Sequence, residues 1–163
     1  MYRVKQFIWA CTASLRAIDY NLLNRYLNKK EKKLFKQLKV SEQQHSIRVC
    51  NKALEMNKDF SNIDTGKLAK IALLHDVGKG SCSLNVFEKS IIVVLDKITK
   101  GKIEKVNNKK IDIYYNHPHE SVKMLKKINK YDDEFLEAIE NHHMNDLNNN
   151  KYLEILIKCD NLS

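Results

Sequence analysis

An all-α fold, a compact helical bundle, is what this sequence predicts, on three observations. Apolar residues recur at three- and four-residue spacing rather than in alternation, which is the pattern of helices with one buried face. The 163 residues contain one Pro and four Gly, so few positions break a helix. Capping residues precede several of the apolar runs, as Asp19, Ser41, Asp64 and Asp132 do. The length suits one domain over 1–163, large enough to bury a core without disulfides. Residues 1–40 are expected to form an N-terminal helical extension and 41–163 the core that carries the site.

Residues 2–13 read as a first helix docked on the domain. Its apolar part, Phe7 to Ala13, is too short to span a bilayer and is followed by no convincing cleavage pattern. Asp19 to Leu27 reads as a helix with Asp19 as N-cap, and Lys30 to Leu38 as a short basic helix with Leu34, Phe35 and Leu38 in a stripe. Ser41-Glu42-Gln43-Gln44 matches a capping box that opens the next helix. Asp64 or Thr65 caps a helix with Leu68, Ile71, Ala72, Leu74 and His75 on its buried side, which Gly78 and Gly80 are expected to terminate. Ser83 to Ile98 is expected to bury Val86, Phe87, Ile91, Val94 and Leu95, with Gly101 ending it. A mobile basic loop or short hairpin is expected over 101–112, and then a helix with His117 at its N-cap and Pro118 in its first turn. Asp132 or Asp133 starts a helix that ends at His142-His143, and Tyr152 to Asp160 is the last.

The net charge of +9 is read first as lysines on solvated helix faces, and second as a field that draws a phosphorylated substrate. Lys100, Lys102, Lys105, Lys109 and Lys110 crowd one segment and offer a phosphate-attracting rim. No recognition motif or aromatic–basic interleaving argues for nucleic acid, and no segment argues for a membrane. Cys11, Cys50, Cys82 and Cys159 lie far apart, with Cys50 and Cys159 in apolar patterns as buried free thiols, so a reducing, cytoplasmic setting is expected.

Five of the six histidines form a series around one doublet. His75-Asp76 sits at the polar end of an apolar run, in Leu73-Leu74-His75-Asp76-Val77-Gly78-Lys79. His45 lies upstream; His117, the pair His142-His143 and Asp160 lie downstream, and His119 is the bystander. Imidazoles and carboxylates without thiolates suit hard-to-borderline divalent cations. Such ions neutralise a phosphate ester and lower the pKa of a bound water. Asp76 is the natural bridge between two of them, since a carboxylate can span two ions and an imidazole cannot. His142 and His143 can both bind only where their helix ends, because adjacent helical side chains diverge by about 100°; otherwise one of them serves the substrate.

This ordered set resembles the HD superfamily of metal-dependent phosphohydrolases, recognised by a first His, an His-Asp doublet and a late Asp. The resemblance covers roughly residues 41–163. It implies a first metal site of His45, His75, Asp76 and Asp160, and a second of His117, His142 and His143 sharing Asp76. The further histidines are similar to those of the two-metal branch that includes the HD-GYP phosphodiesterases, although no Gly-Tyr-Pro follows His142-His143-Met144. The family's occasional third-metal carboxylate would fall at Ser41, so one or two divalent ions are expected, with Mn, Fe, Ni, Zn or Mg as candidates. The resemblance makes Asp76 and Lys79 the catalytic candidates, with Lys79 close to the substrate phosphate. Arg48, one turn after His45, is a second substrate-binding candidate or a structural Arg. The implied activity is hydrolysis of a phosphate ester by a metal-bound hydroxide, the substrate being a nucleotide or other small phosphorylated metabolite. Alternatives are a phosphodiesterase acting on a (cyclic) dinucleotide, or a non-catalytic nucleotide-binding or signalling module on the same fold. Nothing in the sequence sets an oligomeric state.

Overall fold

The structure is a computed structural model that describes residues 17–59, 62–81, 86–144 and 149–163. The expected helix over 2–13, Cys11 and Cys82 lie outside the described residues. Eight α-helices and no strand are found among the described residues: α1 (Tyr20–Tyr26), α2 (Lys29–Phe35), α3 (Val40–Met56), α4 (Thr65–Leu74), α5 (Val86–Thr99), α6 (Lys109–Lys126), α7 (Asp133–Glu140) and α8 (Lys151–Asn161). Short 3₁₀ turns lie at Asn57–Asp59, Val77–Ser81 and Lys102–Lys105. The fold is all-α, as the spacing predicts.

Asp19 caps its helix as read, and Asp64 and Asp132 are the members of the pairs Asp64/Thr65 and Asp132/Asp133 that cap theirs. Asp19 accepts the Leu22 N–H, Asp64 the Lys67 N–H and Asp132 the Phe135 N–H, at 2.9, 2.7 and 2.8 Å. The capping box expected at Ser41 does not form. Helix α3 starts at Val40, with Lys39 as an N-cap that makes no side-chain bond. The glutamines pin the preceding chain instead: Gln43 donates to the Leu38 carbonyl at 2.8 Å and Gln44 to the Ala17 carbonyl at 3.0 Å. A capping box appears one helix earlier, where Asn28 and Glu31 satisfy each other's backbone N–H.

The core is centred on α4, whose Leu68, Ala69, Ile71, Ala72, Leu73 and Leu74 are fully buried. Helices α3, α7 and α8 pack around it, and Leu23, Leu27, Leu34, Phe35 and Leu38 from the α1–α2 region join the same cluster. Each such Leu, Ile or Phe contributes about 1.5–3 kcal/mol through burial. Cys50 and Cys159 are free and buried in it, and burial pushes their thiols up to about 12 and about 11. Asn150 seats α8 against α7: it accepts the Leu153 N–H and donates to the Glu134 carbonyl and the Glu137 carboxylate.

Three expectations are corrected. Gly78 and Gly80 do not end α4, which stops at Leu74; they lie in the following 3₁₀ turn, against α6 and against Gln37 respectively. Residues 101–112 form no hairpin: a 3₁₀ turn leads directly into α6, which begins after an Asn108 N-cap, so Pro118 lies deep inside a helix rather than in its first turn. The face read as the core of α5 is turned outward. Ile91, Val94 and Leu95 are exposed, and among the described side chains of α5 Ile92 is the buried one, packed with Ile103 and Ile111 in a separate small cluster. The side chains of Val86 and Phe87 are outside what the structure describes.

The α2 region also holds a polar anchor that hydrophobic spacing does not reveal. Glu31 is fully buried and accepts from Lys70 at 3.2 Å, the Tyr131 hydroxyl at 3.0 Å and the Asn28 N–H at 2.7 Å. It ties α2 to α4 and to the segment before α7. Glu31→Ala should cost about 3 kcal/mol, because three donors lose a buried acceptor. Urea denaturation measures this, and a midpoint equal to the wild type would show the anchor to be dispensable.

Candidate metal centre

Five segments bring their polar residues to one place. Helix α3 supplies His45, the turn after α4 supplies His75 and Asp76, α6 supplies His117, the turn after α7 supplies His142 and His143, and α8 supplies Asp160. The side chains fall into two groups of possible ligands. One is His45, His75 and Asp160; the other is Asp76, His117, His142 and His143. The ligand atoms of each group lie within 4.8 Å of one another.

Asp76 joins the two groups. Its Oδ2 is 3.4 Å from His75 Nε2 and 3.9 Å from His45 Nε2. Its Oδ1 is 3.2 Å from His117 Nε2 and 3.6 Å from His142 Nε2. The carboxylate thus presents one oxygen to each group. Asp160 Oδ1 sits 2.8 Å from His45 Nε2 and 3.8 Å from His75 Nε2, which completes the first. His143 Nε2 lies 3.0 Å from His117 Nε2 and closes the second from its exposed side.

The backbone aims three of the rings. His75 Nδ1 donates to the Ala72 carbonyl at 2.9 Å, His117 Nδ1 to Tyr114 at 3.0 Å, and His142 Nδ1 to Ile139 at 2.6 Å. Each acceptor lies three residues back, and each carbonyl lacks a full helical partner. Ala72 and Ile139 are in the last turns of α4 and α7, where carbonyls are left over. Tyr114 lies four residues before Pro118, which has no N–H to give it. The internal proline therefore frees the carbonyl that orients His117. With Nδ1–H committed, Nε2 is the nitrogen each ring turns inward, the arrangement that second-shell bonds impose on metal-binding imidazoles.

The chemistry of the buried atoms fits a cation. His75 Nε2, His142 Nε2 and Asp76 Oδ1 are buried without a hydrogen bond of good geometry among the protein groups. Buried polar atoms are nearly always satisfied, so three unsatisfied ones converging on one spot call for a ligand. Burial opposes ionisation of Asp76, but His75 and then Lys79 outweigh it and hold the carboxyl well below the usual range. Burial, then the Lys79 charge, pushes His117 down to about 4, which keeps it neutral and able to donate an electron pair near neutral pH. Asp160 is likewise held low: His45 and His75 override its burial.

Lys79 reaches this centre. Burial disfavours its charge, but Asp76 and then Glu42 raise its pKa above the ordinary lysine value. Its Nζ lies on Asp76 Oδ2 and 3.7 Å from Glu42 Oε2. Arg48 is half-buried on α3 and belongs to neither ligand group. His119 is 69% exposed and pairs with Glu140, outside both groups, in keeping with its reading as a bystander.

Sequence reasoning passed over the clasp that holds the centre together. Ser121 Oγ accepts the Gly78 N–H at 2.8 Å and lies 2.8 Å from the carbonyl oxygens of both His75 and His117, one of which receives its proton. Glu42, taken as the interior of a capping box, is buried beside Lys79. Ser121 carries no motif; only its spacing of four residues after His117 on a helix could have pointed to it.

A family model described as the HD domain matches residues 43–163, well over half of the chain. No curated protein and no solved structure matches it.

Proposed function

Because the chain belongs to the HD-domain family, whose members are generally metal-dependent phosphohydrolases, we propose that it hydrolyses a phosphate ester, with a nucleotide or similar small phosphorylated metabolite as substrate. The observation that carries this reading is the Asp76 carboxylate, with one oxygen turned to each of two ligand groups. In the proposal His45, His75, Asp76 and Asp160 hold one divalent ion. His117, His142 and His143 hold a second and share Asp76. Mn, Fe, Ni, Zn and Mg all suit imidazoles mixed with carboxylates, the nitrogen-rich set favouring the transition metals. When bound, such ions supply charge neutralisation for the phosphoryl group and a lowered pKa for a water.

The chain's own part is positioning. Backbone carbonyls fix the His75, His117 and His142 rings. Asp76 keeps the two groups at one spacing, and Ser121 locks α6 to the His75–Gly78 turn. Lys79 places a positive charge beside the bridging carboxylate, and in this reading it meets the anionic ester there. Arg48 is the further cation proposed to meet the phosphate.

Elemental analysis of the purified protein, followed by a panel of phosphomonoesters, nucleotides and dinucleotides with added manganese, tests the proposal. One or two divalent ions per chain and turnover of at least one small ester are expected. A chain that takes up no divalent ion after reconstitution removes the site, and one that binds ions but turns over no ester is a binding module.

Lys79→Ala separates substrate positioning from metal binding. Metal content should stay near the wild-type value while turnover falls by about ten- to a hundredfold, since a charge near the developing negative oxygens is lost. If only the melting temperature falls and the kinetics hold, Lys79 is a structural partner of Asp76.

A further inference from the structure

Although no segment of the sequence argues for a membrane, we propose that α5 and the turn after it seat the protein on an anionic lipid surface. On α5 the side chains of Ile91, Val94, Leu95 and Ile98 follow the spacing i, i+3, i+4, i+7 and are 57, 55, 40 and 72% exposed. They form one stripe along the helix. The buried Ile92 packs away from it, with Ile103, Ile111, Tyr114 and Tyr115, in a cluster distinct from the main core. Helix α5 thus has two apolar sides, one holding this arm together and one facing outward. Val106, 53% exposed, adds to the apolar surface beyond the helix end. Four large side chains in a row make a contiguous outward apolar patch, the kind of surface that marks an interaction site when polar residues rim it.

Charge identifies the occupant. From Lys97 to Lys110 the chain carries Lys97, Lys100, Lys102, Lys105, Lys109 and Lys110, all exposed, against one carboxylate, Glu104. Lys110 pairs with Glu88, and the nearby Asp96 accepts a hydrogen bond from the Tyr115 hydroxyl. The outward stripe therefore runs into a strongly basic tip. A second copy of a chain with net charge +9 would bring the same lysines to the contact. An anionic bilayer satisfies both features, with acyl chains for the stripe and headgroup phosphates for the lysines. No helix among the described residues is long and apolar enough to cross a membrane, so the contact is interfacial.

Flotation of the full chain with phosphatidylcholine vesicles, with and without phosphatidylglycerol, tests this. The wild type should float with the anionic vesicles and stay behind with the zwitterionic ones. Ile98→Asp, and separately Lys100→Glu with Lys102→Glu, should each lower vesicle partitioning by about tenfold or more, with melting unchanged because these side chains are exposed. Failure to float with anionic vesicles overturns the proposal. So does an Ile98→Asp variant that floats as well as the wild type, since that is adsorption of a basic protein alone. A wild type that elutes as a dimer, ignores vesicles and becomes monomeric with Ile98→Asp assigns the stripe to a second copy and overturns it as well.

Discussion

Asp76→Ala should lower the proposed phosphate-ester hydrolysis by about a thousandfold, the upper end of what losing one preorganised contact at a reacting centre costs. It should also remove more bound metal than His143→Ala. The reason is geometric. Among the described residues Asp76 is the one side chain whose two oxygens face both ligand groups, within 3.2 to 3.9 Å of four imidazole nitrogens. His143 approaches from the exposed side and touches the second group alone. Metal analysis, turnover and circular dichroism on both variants make the comparison. A folded Asp76→Ala protein with wild-type turnover would remove Asp76 from the centre.

Gly78→Ala should cost about 4 kcal/mol and loosen the metal centre, although the change is one methyl group outside the ligand set. A Cβ at this position would meet the His117 carbonyl oxygen at 2.2 Å, the Ser121 nitrogen at 2.7 Å and Ser121 Oγ at 2.9 Å. Two of these are backbone atoms of α6, which cannot swing aside. Overpacking costs about 1–3 kcal/mol, and displacing α6 also strands the buried Gly78 N–H now bound to Ser121, for about 1–3 kcal/mol more. Pushing α6 away also carries His117 away from Asp76. Gly101→Ala is the control: nothing lies within 4 Å of its Cβ position, and its φ of +83° alone costs about 1 kcal/mol. Urea denaturation with metal analysis decides, and a Gly78→Ala midpoint no lower than that of Gly101→Ala would refute the packing argument.

Features that depend on neighbours within about four residues were legible before the fold was known. Asp19, Asp64 and Asp132 cap the helices they precede, because a cap bonds an N–H two or three residues ahead. Both members of the His142-His143 pair face the centre, as they can where a helix stops, and α7 ends at Glu140 just before them. His119 was legible as a bystander and Cys50 and Cys159 as buried thiols. Where several local solutions competed, the reading went astray. Ser41 and Gln44 matched a capping box, yet Gln44 bonds Ala17, 27 residues away. Pro118 suited a first turn, yet the helix continues through it because His117 takes up the carbonyl the proline leaves free.

The helical class, the caps and the chemical kinds of ligand are local properties, since propensity, spacing and side-chain chemistry are carried by each segment alone. What those segments do to one another comes from the packing of the folded chain. It sorted the imidazoles into two groups, gave each Asp76 oxygen a different one and set Ser121 between two backbones. It buried Glu31 beneath Lys70 and Tyr131, and it turned the apolar stripe of α5 outward instead of into the core. An apolar stripe records that a helix has a face to cover, while which surface covers it depends on contacts far apart in the chain, and no local pattern encodes those.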